Sequence, residues 1–423
     1  MRSKYPGFAH VRRNFILNAL DGVFFYGGTI FMSPESVLPV LITILGGTPL
    51  HISLIPVLRN AGFFLPSLFV VSHIRTLVRK KPFLLKLALA QRVPYLILGL
   101  TTLIFAADRP TLTMAVLLAV VFVTALGGGL VIPPYFYLTA KTIPISLRGR
   151  LFAARNLSSY LLGIAAGGII AAILGRVAFP SNFALLVFIG FGMLIMCIPS
   201  VALIKEPDAK KTLPPVPFRE LIGIVGSMLR GNKSLRWYIF GRMLYALAFA
   251  SYSYFAVYLI GKFSLDPSEV GIFTIVIAAT FVVVNPVLGL FADRKGHLGN
   301  HVIGMLSLAV ANVIVILSPW YPLAIFALVF GAVTHTSMMV SGFALPMEFG
   351  EDHEIPIYIA TVGIFVGVVS IGILSLGVAA ERWGYPVIFW ICAASGLVAA
   401  AVFAFKVVEP RRHVPPPVQD ARS

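Results

Sequence analysis

The chain has 423 residues, of which 58% are hydrophobic and only 12% charged, and its formal net charge is +17. A soluble protein keeps about a quarter of its residues charged, so this composition excludes one whose whole surface faces water. Apolar runs of roughly twenty residues, the length of a helix that crosses about 30 Å of hydrocarbon, recur along the whole chain. The runs are continuous rather than alternating, which favours helices over a transmembrane β-barrel. The composition therefore predicts an all-α polytopic membrane protein.

The apolar runs predict twelve transmembrane helices. They lie at 14–45, 50–73, 83–106, 111–140, 151–176, 183–204, 236–261, 268–292, 300–318, 321–346, 355–381 and 385–407. The longest connection divides them into two six-helix bundles. The predicted organisation is an N-terminal segment 1–13, a first bundle 14–204, a linker 205–235, a second bundle 236–407 and a tail 408–423.

The distribution of Lys and Arg predicts the orientation. Loops on one side of the twelve spans carry nearly all the basic residues, and the other side has only Arg109, Arg176, Lys262 and Arg382. Because basic loops stay in the cytoplasm, both termini are predicted to be cytoplasmic, in the inner membrane of a bacterium or an equivalent membrane. Confinement to alternate loops explains the basic excess by topology, so no nucleic-acid partner is predicted.

The linker contains "FRELIGIVGSMLR", whose apolar residues fall on one helical face. The residues of that face are Phe218, Leu221, Ile222, Val225, Met228 and Leu229. Two interpretations stay open: a helix lying in the cytoplasmic membrane interface, or a linker helix packed against the bundle.

A short motif follows the eighth span, in "NPVLGLFADRKGHLG". Gly289, Asp293, Arg294, Gly296 and His297 match the Gly-x-x-x-Asp-Arg-x-Gly-Arg/Lys pattern, with His in the last position. In a twelve-span chain with a long central loop, this motif resembles the cytoplasmic loops of the major facilitator superfamily. The resemblance covers residues 10 to 408 and implies two pseudo-symmetric six-helix bundles.

The resemblance implies a cytoplasmic latch, in which the motif's acid faces a neighbouring helix terminus or a basic side chain. The partners of Asp293 would lie at the start of the fifth span, where "SLRGRLFAARN" supplies Arg148, Arg150 and Arg155. The first half carries a degraded copy of the motif, with His73 in the place of the acid.

Two small-xxx-small faces, Gly163 with Gly167 and Gly363 with Gly367, lie on the fifth and eleventh spans. The resemblance implies that these spans pack between the two halves. Signatures of the drug-proton antiporters and of the sugar porters are absent, so the sequence indicates the superfamily without a substrate branch.

Four ionisable residues at membrane depth form two predicted pairs. Counting helix rise from the span ends places Glu35 and Arg59 at similar depth on consecutive helices, and Asp21 and Arg92 at another common depth. Such residues are costly in hydrocarbon unless paired or hydrated, so each is a functional candidate. Either carboxylate could exchange its Arg for a proton or a substrate cation, or both pairs could be structural. Pro34 beside Glu35 interrupts the helix and favours the functional interpretation for that acid.

In the second half, His335 near the middle of the tenth span is a candidate for proton exchange. Tyr252, in the aromatic run of the seventh span, is a candidate for the substrate path. Packing is the alternative for both residues. No metal or cofactor is predicted, because Cys197 and Cys392 lie in apolar runs without ligand spacing and no nucleotide-binding loop is present.

These observations predict a non-enzymatic secondary transporter, monomeric in the bilayer, that works by alternating access. Proton-coupled export of a small hydrophobic or amphipathic compound is the preferred interpretation. An importer or uniporter of an organic anion held by Arg59 and Arg92 is the alternative. A transport-inactive scaffold or sensor with the same fold is the alternative of another class.

Overall fold

A computed structural model describes residues 10–64, 66, 76–207, 218–342, 344–350 and 355–409, without the side chains of 218–222 and 355–356. The regular elements of these residues are all helices. The copy of the loop motif around His73 lies outside the described residues.

The first half contains α1a (Val11–Ile30), α1b (Val37–Ile44), α2 (Pro49–Phe64), α3 (Lys81–Phe105), α4 (Pro110–Thr142), α5 (Ile145–Arg176) and α6 (Ser181–Ala202). The second half contains α7a (Lys233–Phe249), α7b (Tyr252–Phe263), α8 (Glu269–Lys295), α9 (Leu298–Leu317), α10 (Tyr321–Ser341), α11a (Ile355–Val369), α11b (Ile373–Trp383) and α12 (Tyr385–Phe405). A linker helix (Phe218–Gly231) stands between the halves in sequence, and a short helix (Ala344–Met347) follows α10.

Ten helical stretches of the described chain are long and apolar enough to cross a membrane, and they correspond to α3 through α12. The region of the first predicted span is interrupted between Ile30 and Val37, and α1a carries Arg12, Arg13 and Asp21. The second helix is described over only 16 residues. The all-α membrane fold predicted from the sequence is thus confirmed.

The seventh and eleventh helices are interrupted, although the sequence predicted them to be continuous. The seventh breaks at Ala250 and Ser251, and the eleventh passes through a 3₁₀ turn at Ser370–Gly372. The breaks are local changes of hydrogen bonding inside apolar runs, so hydropathy alone does not reveal them. The fifth helix begins at Ile145, six residues before the predicted start.

Helix pairing in the first half repeats six helices later in the second. Helix α1a packs on α5 and α6, and its equivalent α7a packs on α11a and α12. Helix α2 packs on α4, just as α8 packs on α10. Helix α3 packs on α4 and α6, just as α9 packs on α10 and α12. Between the halves, α5 packs on α8 and α2 packs on α11. The chain therefore folds as two pseudo-equivalent bundles that meet mainly along these two helix pairs.

Small residues allow the helices of the two halves to approach closely. A Cβ atom at Gly163 would lie 2.9 Å from the Cβ of Ala278, and one at Gly167 would lie 2.6 Å from the carbonyl oxygen of Gly271. On the other interface, Gly363 faces the ring of Phe64. Both small-residue faces pack between the halves, as predicted.

The two ends of the bundle differ. We call the end at which α1a, α3, α5 and α7a begin the basic face, and the other end the opposite face. At the opposite face the halves touch, because the Tyr254 hydroxyl donates to the Pro49 carbonyl (3.1 Å) and the Leu50 amide donates to Glu381 (3.4 Å). Toward the basic face, the Cβ positions of Gly149 on α5 and Gly289 on α8 have no neighbouring atom within 4 Å.

The linker helix packs on the second bundle through its described side chains. Met228 is buried, and Ile224 and Leu229 contact the same apolar cluster, which includes Leu235 and Tyr238. Among its described residues, packing against the bundle accounts for the apolar face predicted from the sequence.

Candidate solute and proton site

The break in the first helix forms a small polar loop at membrane depth. Helix α1a ends at Ile30, and the Ser33 hydroxyl donates to Glu35 Oε2 (3.1 Å) while accepting the Glu35 amide (3.2 Å). Pro34 lacks an amide proton, so a regular helix cannot continue through this point without losing a bond. The loop therefore holds the Glu35 carboxylate in place through its own backbone and Ser33.

Arg59 on α2 is the ion-pair partner of Glu35, as the sequence predicted. Its Nη1 atom donates to Glu35 Oε1 at 2.8 Å. The side chain of Glu35 is 15% exposed and that of Arg59 is 45% exposed, so the pair is accessible on the arginine side. The pair joins α2 to the break in α1.

The second half contributes His335 and Tyr252 near this pair. Both residues lie close enough to Glu35 to interact with its charge, and His335 also interacts with the charge of Arg59. His335 is half-buried, and its ring lies 5.8 Å from that of Phe249 and 5.2 Å from that of Phe281. The first-half ion pair thus lies within electrostatic reach of the second-half histidine.

Tyr252 occupies a packed position. It is 1% exposed, its hydroxyl donates to the Leu328 carbonyl (3.3 Å), and its ring contacts those of Phe249 and Phe255. Its side chain therefore presents almost no surface to a solute in this conformation.

Asp21 pairs with Arg155 rather than with Arg92, so the predicted Asp21–Arg92 pair is wrong. Arg155 Nη2 lies 3.7 Å from Asp21 Oδ2, with the two side chains 8% and 7% exposed. Arg155 also donates to the Tyr135 hydroxyl, which in turn donates to Asn18 (3.2 Å). The acid is part of a buried polar network that joins α1a, α4 and α5 within the first half.

Arg92 turns toward α6. Its guanidinium donates to the carbonyls of Leu194 (2.9 Å) and Ala88 (2.7 Å) and to the side chain of Gln91 (3.3 Å). Arg92 still lies close enough to interact with the charge of Asp21, but no hydrogen bond joins them. Helix rise gave the correct depth, whereas packing decided the direction around the helix axis.

The loop motif after α8 is placed at the basic face. Asp293 and Arg294 are exposed, and Gly296 has a φ of +90°, which favours glycine. Among the described residues, no ion pair or hydrogen bond joins Asp293 to the basic residues at the start of α5. Arg148 instead donates to the carbonyls of Ile143 (3.1 Å) and Ala140 (2.7 Å).

Arg150 at the start of α5 is exposed, whereas Arg155 is the buried partner of Asp21. The latch predicted between Asp293 and this segment is therefore not formed in this conformation. The motif and the basic segment belong to different halves, so a latch between them depends on how the halves pack at the basic face.

Sequence reasoning missed a repeated acid that caps helices at the basic face. Glu206 after α6 accepts the amides of Lys80 and Lys81 (both 3.0 Å) at the start of α3, and Glu409 after α12 accepts the amide of Leu298 (2.8 Å) at the start of α9. A carboxylate at a helix N-terminus satisfies unpaired amides and complements the helix dipole. The signal in the sequence is the Glu-Pro step that follows both the sixth and the twelfth span.

No group of three or more His, Cys, Asp or Glu residues that could hold a metal ion occurs in the part of the chain that the structure describes. Cys197 and Cys392 are both buried and free.

The fold and the site define a class: a helical membrane protein of two repeated bundles with ionisable groups between them, an architecture that secondary transporters use. Residues 238–423 match the sequence model of the Major Facilitator Superfamily. This match covers the second half of the chain and supports a transporter of that superfamily.

Solved structures share this fold. A variant of the nucleoside transporter NupG aligns with a TM-score of 0.69 at 13% identity, covering 93% of this chain and 98% of that one. A D-xylose-proton symporter aligns with a TM-score of 0.70 at 13% identity, covering 95% and 98%. A POT family transporter in complex with 5-aminolevulinic acid aligns with a TM-score of 0.70 at 12% identity, covering 94% and 96%. No curated protein matches the sequence significantly.

Proposed function

We propose that this protein is a secondary transporter that exports a small amphipathic solute by alternating access and couples that movement to protons through Glu35. One observation carries the proposal: the Glu35–Arg59 pair lies in a helix break between the two halves, within electrostatic reach of His335. An acid whose counter-ion can be exchanged is a group that can gain and lose a proton during a transport cycle.

The contrast between the two acids supports Glu35 as the coupling group. Asp21 and Arg155 are each less than a tenth exposed and are tied to further polar groups of the same bundle. Arg59 is nearly half exposed and meets Glu35 at a position between the bundles. A group that exchanges protons needs access to water, which the geometry offers to Glu35 and denies to Asp21.

The difference between the two ends fits one state of an alternating-access cycle. In this state the opposite face is closed by contacts such as Tyr254 with Pro49, whereas the Cβ positions of Gly149 and Gly289 toward the basic face have no neighbour within 4 Å. With the orientation that the basic loops favour, the basic face would be cytoplasmic and the site would receive solute from the cell interior.

Reconstituted protein tests this proposal. Proteoliposomes that contain a trapped pH indicator are exposed to a panel of amphipathic compounds, and the expected result is compound-induced proton movement. Glu35→Gln should abolish that movement, whereas Asp266→Asn, an exposed acid in a loop at the opposite face, should preserve it.

Normal proton coupling in Glu35→Gln would contradict the role of Glu35. No flux with any compound would favour the transport-inactive scaffold.

Labelling of engineered cysteines in the N-terminal segment and in the loop after α5, in intact cells, tests the cytoplasmic location of the termini.

A further inference from the structure

The guanidinium of Arg59 has unused hydrogen-bond donors. It carries five N–H groups, and among the described residues its one hydrogen bond runs from Nη1 to Glu35. The side chain is 45% exposed, so a further acceptor can approach it from solvent. Its planar donor fork matches a carboxylate better than any other side-chain cation does.

The buried arginines of the bundles offer no such fork. Arg92, Arg155 and Arg242 are 4%, 6% and 4% exposed, respectively. Arg92 donates to carbonyls, Arg155 to Asp21 and Tyr135, and Arg242 to the Gly342 carbonyl (3.2 Å). An anion could reach them only by unpacking the bundle, so Arg59 alone of these four is available. In the alternative of an anion held by both Arg59 and Arg92, Arg92 is therefore not available to the anion.

Aromatic groups of both halves contact one another and His335. The rings of Phe249 and Phe281 both contact the ring of His335, and the ring of Tyr160 lies 5.1 Å from that of Phe281. The Tyr160 hydroxyl accepts a hydrogen bond from Asn285 (3.2 Å) of the other half. These residues offer apolar ring faces with few polar groups, a lining that suits a flat apolar body.

Glu35 stays in place without Arg59, because Ser33 holds its second oxygen at 3.1 Å. If another carboxylate takes the guanidinium, Glu35 becomes an unpaired anion at membrane depth, which is costly. Uptake of a proton by Glu35 removes that cost. Binding of an anion to Arg59 and protonation of Glu35 therefore favour each other.

We infer that the solute is an organic anion with an aromatic body, whose carboxylate replaces Glu35 at Arg59 while Glu35 takes up a proton. This inference rests on the proposed function and names its substrate class. One proton and one negative charge then move together, so the step is electroneutral. Its direction follows the combined gradients, and export results when the acid accumulates inside the cell.

Three matched probes test the inference: phenylbutyrate, phenylbutanol and phenylbutylamine, which share one body and differ in the charge of the head group. Their binding to the purified full-length protein is measured by calorimetry between about pH 6 and pH 8, where the carboxylate is ionised. Phenylbutyrate should bind at least about tenfold more tightly than the other two. Its dissociation constant should rise with pH, by at most about tenfold per unit, the limit for uptake of one proton.

Variants separate the roles of the two side chains. Glu35→Gln, which mimics the protonated acid, should bind phenylbutyrate at least as tightly as wild type and without pH dependence. Arg59→Gln should bind phenylbutyrate only as tightly as wild type binds phenylbutanol. The affinity of Arg59→Lys for phenylbutyrate should lie between those of wild type and Arg59→Gln. Arg176→Gln, an exposed arginine at the opposite face, is the matched control and should bind as wild type.

The inference is overturned if phenylbutyrate does not bind, if it binds no better than phenylbutanol, or if Glu35→Gln keeps the pH dependence. The proposed function fails differently, because it requires compound-induced proton movement with some member of the wider panel. Proton movement driven by phenylbutylamine but not by phenylbutyrate would support the proposed transport function and contradict the inference that the solute is an anion.

Discussion

Arg155 on the fifth helix is the ion-pair partner of Asp21 on the first, at 3.7 Å between Nη2 and Oδ2. Both side chains are buried, and the pair continues into Tyr135 and Asn18. Gly22 is part of this arrangement, because the Arg155 side chain packs against the position where a Cβ atom of Gly22 would stand. The relationship assigns Asp21 to the internal structure of the first bundle.

Asp21→Asn should destabilise the protein. Breaking a buried ion pair leaves Arg155 charged and unpaired, which typically costs about 3–5 kcal/mol. Thermal unfolding of the purified protein measures the loss. Asp108→Asn, an exposed acid, should leave unfolding unchanged, and Asp21→Asn combined with Arg155→Gln should recover part of the stability. A stable Asp21→Asn protein without proton coupling would instead place Asp21 on the proton path.

Exchanging the charges of Glu35 and Arg59 separates stability from coupling. Each single change leaves one unpaired charge at membrane depth, so both Glu35→Arg and Arg59→Glu should lower the yield of folded protein. The double exchange restores opposite charges and should restore much of that yield. Proton coupling should stay lost, because the acid then leaves the Ser33 loop that positions it. Normal coupling in the double exchange would mean that the pair is purely structural.

A bulky residue at Gly167 should force the opposite face open. A Cβ atom there would lie 2.6 Å from the Gly271 carbonyl, so Gly167→Leu cannot keep the α5–α8 contact. Spin labels at Arg176→Cys and Asp266→Cys should report a longer distance in this variant. Gly168→Leu is the matched control, since Gly168 has no neighbour within 4 Å and its variant should keep the wild-type distance. An unchanged distance in Gly167→Leu would contradict the role of the α5–α8 contact in keeping the opposite face closed.

The latch at the basic face should form when that face closes. Asp293 and Arg150 are both exposed, and the superfamily resemblance makes them neighbours in the closed state. Oxidative cross-linking of Asp293→Cys with Arg150→Cys should be weak alone and stronger when Gly167→Leu is added. Val287→Cys, which is exposed and lies about 120° around the axis of α8 from Asp293, should not cross-link to Arg150→Cys in either background. Equal cross-linking with and without the Gly167→Leu substitution would argue against a latch that depends on conformation.

The candidate site was predictable where it depended on neighbouring helices. Glu35 and Arg59 lie on consecutive antiparallel helices joined by a short turn near Gly46, which has a φ of +79°. Helix rise from a common end therefore placed them at one depth, and the short connection kept the helices adjacent. The proximity of His335 to this pair was not predictable, because it depends on how the two halves pack.

The sequence by itself determined the membrane class, the helical fold and its repeated halves, because the length of an apolar run is set by the thickness of hydrocarbon and read one segment at a time. Only the tertiary structure decided that Asp21 pairs with Arg155 and that Arg92 donates to a carbonyl of α6. Only it shows that, among the described residues, no ion pair joins Asp293 to α5. Depth along a helix follows from counting residues, whereas the direction of a side chain around the axis acquires meaning only when neighbouring helices are in place.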